Sequence, residues 1–452
     1  MKNIPSGSRV RVEAGGESLI SSAGGSLLLQ TAAVSGLAAG LSRGLASWRP
    51  ARSVHDPGKT VLDLAVTIAL GGDCLADVAV LRAQPELFGA VASDPTISRL
   101  IEGLGDDSAT VITAIRAARA GARAKVWAHH RPIPSTDQVV VDLDATLVGS
   151  HSEKEGATAN FKRGFGFHPM LAFVDHGAGG TGEPVVGMLR PGRANANDAA
   201  DQIAVLDAAL AQLPEQTRSR VLVRGDTGSG VQPFLWHVTN LGLQYSVGVY
   251  ARQPVQDALA ALPQQAWRKA RDVDGNPRDG AQVAELTRWL PATFVGWPPG
   301  MRVIARRERP HPGAQLRITD QQGWRITVFA TNTRGGRLAD LEVRHRLRAR
   351  AEDHIRGLKD TGLTNLPPQA FAKNPIWLEL AQLAAEPLTW TQLLAWPDQA
   401  ARTWEPKRLR LRLLAVAGRL ITTGRRRILR FSQRWPWTDL ITSGHHRLAL
   451  LI

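Results

Sequence analysis

Asp142 and Asp144 stand two residues apart in VVVDLDATLV, so on an extended strand both carboxylates leave the same face. Asp226 closes a second β-branched run, VLVRGDTGSG, where the small residues that follow leave its carboxylate uncrowded. Glu352 lies in a long charged segment with His345, Arg348 and Lys359, at separations of three, four and seven residues. At 3.6 residues per turn these four share one helical face. Acids from distant chain positions, converging from strand ends and a helix, suit hard divalent cations such as Mg²⁺, which take oxygen ligands and keep room for phosphate oxygens. Two such ions activate a nucleophile and stabilise the leaving oxygen of a phosphodiester. Arg348 and Lys359 are then available for the flanking phosphates. A plainer reading stands beside this one. A single acid at a strand end is commonly a cap or a surface charge, and Arg348 with Glu352 is also an i,i+4 pair on a solvated helix. Spacing alone leaves both open, and it leaves Asp142 in competition with Asp144.

The elements that must hold these residues can be read along the chain. VVVDLDATLV, MLAFVDH, GEPVVGMLRPG, VLVRG and QYSVGVY read as strands, and Asp198 to Leu213 and Val231 to Leu241 as helices. That order suits a mixed α/β sheet. From about Ala251 regularity fades, then returns as MRVIARRE, AQLRITD and WRITVFAT, an expected antiparallel meander turning at Pro310 to Gly313 and Gln321 to Gly323. Leu338 to Lys359 reads as one long helix and Asn374 to Trp396 as another, with Pro387 expected to kink it. Ahead of the sheet the pattern is helical, with a break near Gly36 to Gly40, a turn at His55 to Gly58, a helix over Val61 to Leu70 and short helices to about Ala120. One of these starts at Ser93-Asp94-Pro95-Thr96, capped by Asp or Thr, and buries Ile97, Leu100, Ile101 and Leu104. The expected layout is a disordered N-terminus (1–25), a helical DNA-binding or packing domain (26–125), a first core part (136–250), a β-rich insertion (251–335), the last core helices (336–400) and a basic helical tail (401–452).

Fifty-five Lys and Arg against forty Asp and Glu give a net charge of +15, which calls for a polyanionic partner. From Glu405 onward, Lys407 and ten arginines face Glu405 and Asp439 alone, with Arg425, Arg426 and Arg427 consecutive. DNA backbone binding is the reading of that tail. Cys74 is the single cysteine, excluding an internal disulfide and a cysteine-rich zinc site. No apolar run reaches eighteen residues and the opening lacks a signal-peptide core, so neither a membrane span nor export is expected. The expected setting is the cytoplasm, in association with the nucleoid. HHRP at 129–132 and HH at 445–446 lack carboxylate or cysteine partners at metal-ligand spacing. Gly179 to Gly182 and Gly228 to Gly230 lack the phosphate-loop pattern.

H-x2-R-x3-E-x6-K, as His345, Arg348, Glu352 and Lys359, resembles the Y-x2-R-x3-E-x6-K signature of a large branch of bacterial insertion-sequence DDE transposases. Asp144-Ala145-Thr146 is similar to that branch's D-x-T, and Arg224-Gly225-Asp226-Thr227-Gly228 to its second acidic site. RHRLRARAEDHIRGLKDTGLTNLP, FAKNPIWLELAQLAA, HDPGKTVLDLAVTIALGGD and FGAVASDPTISRLI resemble insertion-sequence family thirteen-eighty, of the transposase DDE domain group 1 kind, across residues 23 to 450. The resemblance implies an RNase H-like core with a β-rich insertion. It implies Asp144, Asp226 and Glu352 as catalytic acids on two Mg²⁺, with Mn²⁺ as a substitute, and prefers Asp144 to Asp142. His345, Arg348 and Lys359 would contact DNA, His345 standing where the signature has Tyr. Ala385-Glu386-Pro387 departs from the usual Asn- or Asp-Leu. The implied activity is cut-and-paste DNA transposition, an endonucleolytic cleavage followed by strand transfer, by a homodimer on double-stranded terminal repeats and target DNA. Alternatives are an RNase H-like nuclease without strand transfer, or an inactive transposase-derived DNA-binding protein.

Overall fold

The computed structural model describes residue 15 and residues 18–130, 138–150, 153–177, 182–290, 296–310, 323–424 and 426–451. A short strand, β1 (Leu19–Ile20), precedes helices α1 (Ser26–Val34) and α2 (Leu37–Gly44). Gly36 separates the two at φ +75°, a left-handed conformation that glycine adopts without a Cβ penalty. Asp56 caps α3 (Pro57–Ala69) by accepting from the Lys59 amide at 2.7 Å, with Pro57 in the first turn. Every residue of α3 but Lys59 is buried, as fits a helix enclosed on all sides. The short helices α4 (Ala79–Arg82) and α5 (Pro85–Phe88) lead to α6 (Asp94–Asp106) and the long α7 (Ser108–His129). α6 buries Ile97, Ile101 and Leu104 as expected, but Ser93 occupies its N-cap position, with its hydroxyl on Thr96, while Asp94 pairs with Arg82.

β2 (Val139–Ala145) is an interior strand of the main sheet, third from one edge. A small separate sheet follows it: β3 (Val148–Gly149), β4 (Thr158–Ala159) and β5 (Phe165–Phe167). β6 (Met170–Asp175) and β7 (Gly182–Met188) then extend the main sheet antiparallel on one side of β2. After α8 (Ala199–Gln212) and α9 (Glu215–Arg218), β8 (Val221–Gly225) pairs parallel with β2. α10 (Gln232–Asn240) crosses to β9 (Gln244–Val249), parallel to β8. The apolar, β-branched content of these central strands is that of strands covered on both faces.

Beyond α11 (Gln253–Ala261), β10 (Arg268–Arg271), β11 (Pro277–Glu285), β12 (Arg302–Glu308) and β13 (Arg325–Thr331) continue the same sheet. The order across it is β10-β11-β12-β13-β9-β8-β2-β6-β7. The expected meander is corrected here. β12 and β13 pair directly over seven residues, Arg302 opposite Thr331 through Glu308 opposite Arg325, so MRVIARRE and WRITVFAT are neighbours in the sheet. AQLRITD itself lies outside the described residues. β10 and β11 are a further hairpin whose polar sequences, RKAR and PRDGAQVAE, carry no apolar signal.

The charged helix expected as one piece is α12 (Leu338–Arg346), a 3-10 turn over Leu347–Ala349, and α13 (Arg350–Leu358). α14 (Asn374–Ala395) runs through Pro387 as a single helix, so the proline does not break it. α14 packs against α3, α7, α1 and β7, and one apolar core runs from Leu27 to Leu448, joining the N-terminal helices to the sheet.

The tail is not wholly helical. α15 (Pro406–Leu409) gives way to a hairpin of β14 (Gly418–Thr423) and β15 (Arg426–Phe431), and α16 (Thr438–Ala449) ends it. In GRLITT and RRILRF the apolar residues stand as adjacent pairs, Leu420-Ile421 and Ile428-Leu429, so no period of two marks them as strands. β1 pairs with β14, so residues 18–25, expected to be disordered, are ordered by this sheet. No single helix among the described residues is long and apolar enough to cross a membrane; α1 and α2 reach that composition only together, across a 66° bend.

Candidate active site

The parallel pairing of β2 and β8 sets the site. Asp142 lies opposite Arg224 and Leu143 opposite Gly225, so the next residue on each strand, Asp144 and Asp226, ends its strand beside the other. The two neighbouring aspartates of β2 have different surroundings. Asp142 is fully buried and takes both forks of Arg224 at 2.7 Å, and the same guanidinium reaches Asp175 at 2.6 Å. That bidentate geometry occupies Asp142 completely. Asp144 accepts only the Ala145 amide, at 2.8 Å, and stands at the mouth of the sheet.

Asp226 is held by the turn that follows it. Its carboxylate accepts from the Gly228 amide at 2.8 Å and caps a 3-10 turn over Thr227–Ser229. Small residues make that turn possible. A Cβ on Gly248 would lie 2.7 Å from the Thr227 nitrogen, and one on Gly230 would lie 2.2 Å from the Gly248 carbonyl oxygen. The small residues after Asp226 thus seat the acid against β9.

The helix supplies the third acid and a shared cation. Arg348 lies 3.6 Å from Asp144 and 3.8 Å from Glu352, bridging the two. Glu352 is 71% exposed, so it faces the solvent side of the cluster. Lys359 donates to the Leu147 carbonyl at 3.1 Å, beside the chain segment that leaves Asp144. Burial, and then Lys162, lowers the Lys359 ammonium below its usual range. His345 is placed elsewhere. Its ring stacks on Phe329 with centroids 4.4 Å apart and planes at 6°, and Nδ1 meets the Ser246 hydroxyl at 3.1 Å. Burial, and then Arg348, pushes its pKa down to about 3. The sequence register therefore brings Arg348, Glu352 and Lys359 to the site and leaves His345 as a packed, neutral ring.

Electrostatics tie the acids into one unit. Burial first, then the charges of Asp226 and Glu352, push the Asp144 carboxyl up to about 7, against the pull of Arg348 and the Ala145 amide. Carboxylates from two strand ends and a helix form an all-oxygen donor set of the kind a hard divalent cation fits. Arg348 stands between the Asp144 and Glu352 carboxylates. Among the described residues the group of three ligand-type side chains drawn within 4.8 Å of one another is Asp73, Cys74 and Asp77. There Asp77 accepts the Asp73 and Cys74 amides at 2.8 and 3.1 Å as a local turn cap.

A cleft opens beside Asp226, lined by Phe161, Arg193, Asn195, Tyr250 and Arg252. Phe161 and Tyr250 are 71% and 49% exposed, and both arginines face solvent. Sequence reasoning missed these residues because they come from three separate loops without periodicity. In the tail, Arg426 is exposed on the hairpin, Arg427 donates to the Glu86 carbonyl, and Arg425 lies outside the described residues. The other rejected histidine is also explained: His445 is bonded to Ser26 at 2.8 Å and Gln30 at 2.6 Å.

A sequence model of the family described as transposase DDE domain group 1 matches residues 2–452. No curated protein matches the chain. Among solved structures, the piggyBac transposase in its synaptic complex with hairpin DNA is similar, at a TM-score of 0.44 and 9% identity, over 86% of this chain and 80% of that one.

Proposed function

The chain belongs to the transposase DDE domain group 1 family, and on that premise we propose that it is a DNA transposase which cleaves at transposon ends and joins them to target DNA. The observation that carries the reading is the placement of Asp144 and Asp226 at adjoining ends of two parallel strands, with Arg348 reaching both Asp144 and Glu352. The sheet supports an RNase H-like core: β7, β6 and β2 antiparallel, then β8 and β9 parallel to β2.

In this reading Asp144, Asp226 and Glu352 would hold two Mg²⁺, with Mn²⁺ as a substitute. When bound, these ions supply charge neutralisation and lower the pKa of water. Asp142 has no part in ligation, because Arg224 occupies both its oxygens. Arg348 and Lys359 orient the phosphates on either side of the scissile bond. In the first step the oxygen of water forms a bond to phosphorus and the bond to the 3′ oxygen breaks, leaving a 3′ hydroxyl and a 5′ phosphate. In the second, that hydroxyl oxygen bonds to a target phosphorus, displaces the target's 3′ oxygen, and its proton passes to solvent. The protein's share is positioning and charge rather than covalent chemistry. Two ends must be brought together, so a homodimer on DNA is part of the proposal.

The test is a labelled duplex end incubated with target DNA and Mg²⁺ or Mn²⁺. Wild type is expected to give cleaved and joined products. Asp144→Asn, Asp226→Asn and Glu352→Gln are expected to lose on the order of 10³–10⁴-fold in rate, and Asp142→Asn to fail by unfolding rather than by chemistry. Cleavage without joined product would replace transposase by nuclease, and no cleavage by wild type under any divalent ion would leave a DNA-binding protein.

A further inference from the structure

The tail hairpin has two unlike faces. Arg419 lies opposite Arg430, Ile421 opposite Ile428 and Thr423 opposite Arg426, and directly opposed residues project to one side of an antiparallel ribbon. On that side Arg419, Thr423, Arg426, Ile428 and Arg430 are all exposed. The other side is bound to the body at its base, while Thr422 and Arg427 toward the tip are exposed. A Cβ on Gly418 would lie 2.6 Å from Ala23, Phe431 packs on the main core, and Arg427 donates to the Glu86 carbonyl. β1 adds to the ribbon at its base and fixes its direction.

The exposed face is costly as it stands. Arg419 and Arg430 are directly opposed like charges, which destabilise a strand pair. The tail's acids are committed elsewhere: Glu405 to Arg356, and Asp439 to the first turn of α16. A face of three arginines with no acid of its own is complementary to a polyanion. The shape narrows the choice. Two strands sit about 5 Å apart, and six residues of strand span roughly 20 Å. A ribbon of that size is what the major groove of B-DNA, about 12 Å wide, admits. Arginine on such a ribbon reaches guanine edges or phosphates with its planar fork.

We propose that β14–β15 is a DNA-reading ribbon, which lays Arg419, Arg426 and Arg430 in the major groove of a duplex. The contact rests on the DNA reading of the chain but uses none of the carboxylate cluster. It replaces the tail's expected role as a helix on the phosphate backbone: Arg427 belongs to the anchored face, and Arg419 and Arg430, not consecutive with Arg426 in sequence, join it through the strand pairing.

The experiment uses the full chain with EDTA present, so that no cleavage is read. Binding is measured by fluorescence anisotropy over a series of salt concentrations. The probes are a duplex cut from the DNA flanking the gene, a duplex of shuffled sequence, and phosphatidylglycerol vesicles. R419Q/R426Q/R430Q is expected to keep the wild-type melting temperature and to lose roughly tenfold or more in affinity for the flank duplex. Its salt slope should fall by about 2–3. R419K/R426K/R430K should recover the slope but not the preference for flank over shuffled DNA, because lysine keeps charge without the fork. Unchanged duplex affinity and slope in the glutamine variant, or a loss confined to the vesicles, overturns the ribbon. If wild type binds neither duplex, the DNA reading itself falls.

Discussion

Asp142 and Asp144 share a strand and a face, yet their partners differ. Asp142 is bound to Arg224, and removing that guanidinium leaves Asp142 and Asp175 buried without it. Arg224→Ala is therefore expected to destabilise the fold by about 3–5 kcal/mol in chemical denaturation. Asp144 has no such bidentate partner. Its folded pKa, about 7, lies above the ordinary 3.8, so its protonated form is favoured by folding. That contribution is fully present below the unfolded value and is lost as pH rises through about 7. Asp144→Asn should accordingly raise the melting temperature above pH 7 with chelator present, while abolishing cleavage. A lowered melting temperature would make Asp144 a structural acid. The acids themselves were legible in the sequence, since D-x-T, the Asp226 run and the helical Glu all carry local spacing. The fate of His345 was not. Its partner Phe329 comes from a strand sixteen residues away in sequence, and no periodicity connects the two.

At the scale of elements, Glu386 acquires a reason that lies outside the chemistry. Glu386 on α14 pairs with Arg119 and Arg123 of α7, and Arg123 also holds Glu183 of β7 at 2.6 Å. Arg119 also reaches Glu379, and Trp127 and Trp390 donate to Glu183 at 3.0 and 2.8 Å. The acids and arginines of this network are buried, so each depends on its partners. Glu386→Ala is expected to cost about 3–5 kcal/mol by taking one of two carboxylate partners from each buried guanidinium, leaving Arg119 to Glu379 and Arg123 to Glu183. Glu386→Ala combined with Arg119→Met and Arg123→Met should recover part of that loss, and urea melts of wild type and the two variants read it. No recovery would show that the acid acts through something other than these arginines. The central strands were readable because burial on both faces makes them continuous apolar runs. β10 and β11 were not, because an edge hairpin carries polar residues on an open face. The tail misled for a related reason: a dense run of arginines reads alike as helix or strand until a partner strand is placed beside it.

At the scale of the molecule, two histidines make the fold sensitive to acid. His345 and His445 have folded pKa values of about 3 and about 4, lowered first by burial. Each contributes stability that is complete above the ordinary value of 6.5 and is lost as pH falls toward its folded value. The melting temperature should therefore decline from pH 7 to pH 4, and His445→Gln, which retains hydrogen bonding to Ser26 or Gln30, should flatten that decline. An unchanged slope would remove His445 from the account. The global layout was only partly legible. Alternation of strands and helices indicates a mixed sheet, but nothing local reveals that β10–β13 extend it or that the N-terminal helices share its core.

That shared core limits how the protein can move. All of α14 except Pro375 is buried, and α1, α3 and α7 close around it. A hinge between the N-terminal helices and the sheet would uncover Trp377, Trp390 and Trp396 together. Domain closure of the clamshell kind is therefore not available to this chain, and adaptation to a bound duplex falls to the surface segments around Arg193, Arg252 and the hairpin tip. Hydrogen exchange should slow in those segments when DNA binds and stay unchanged in α14.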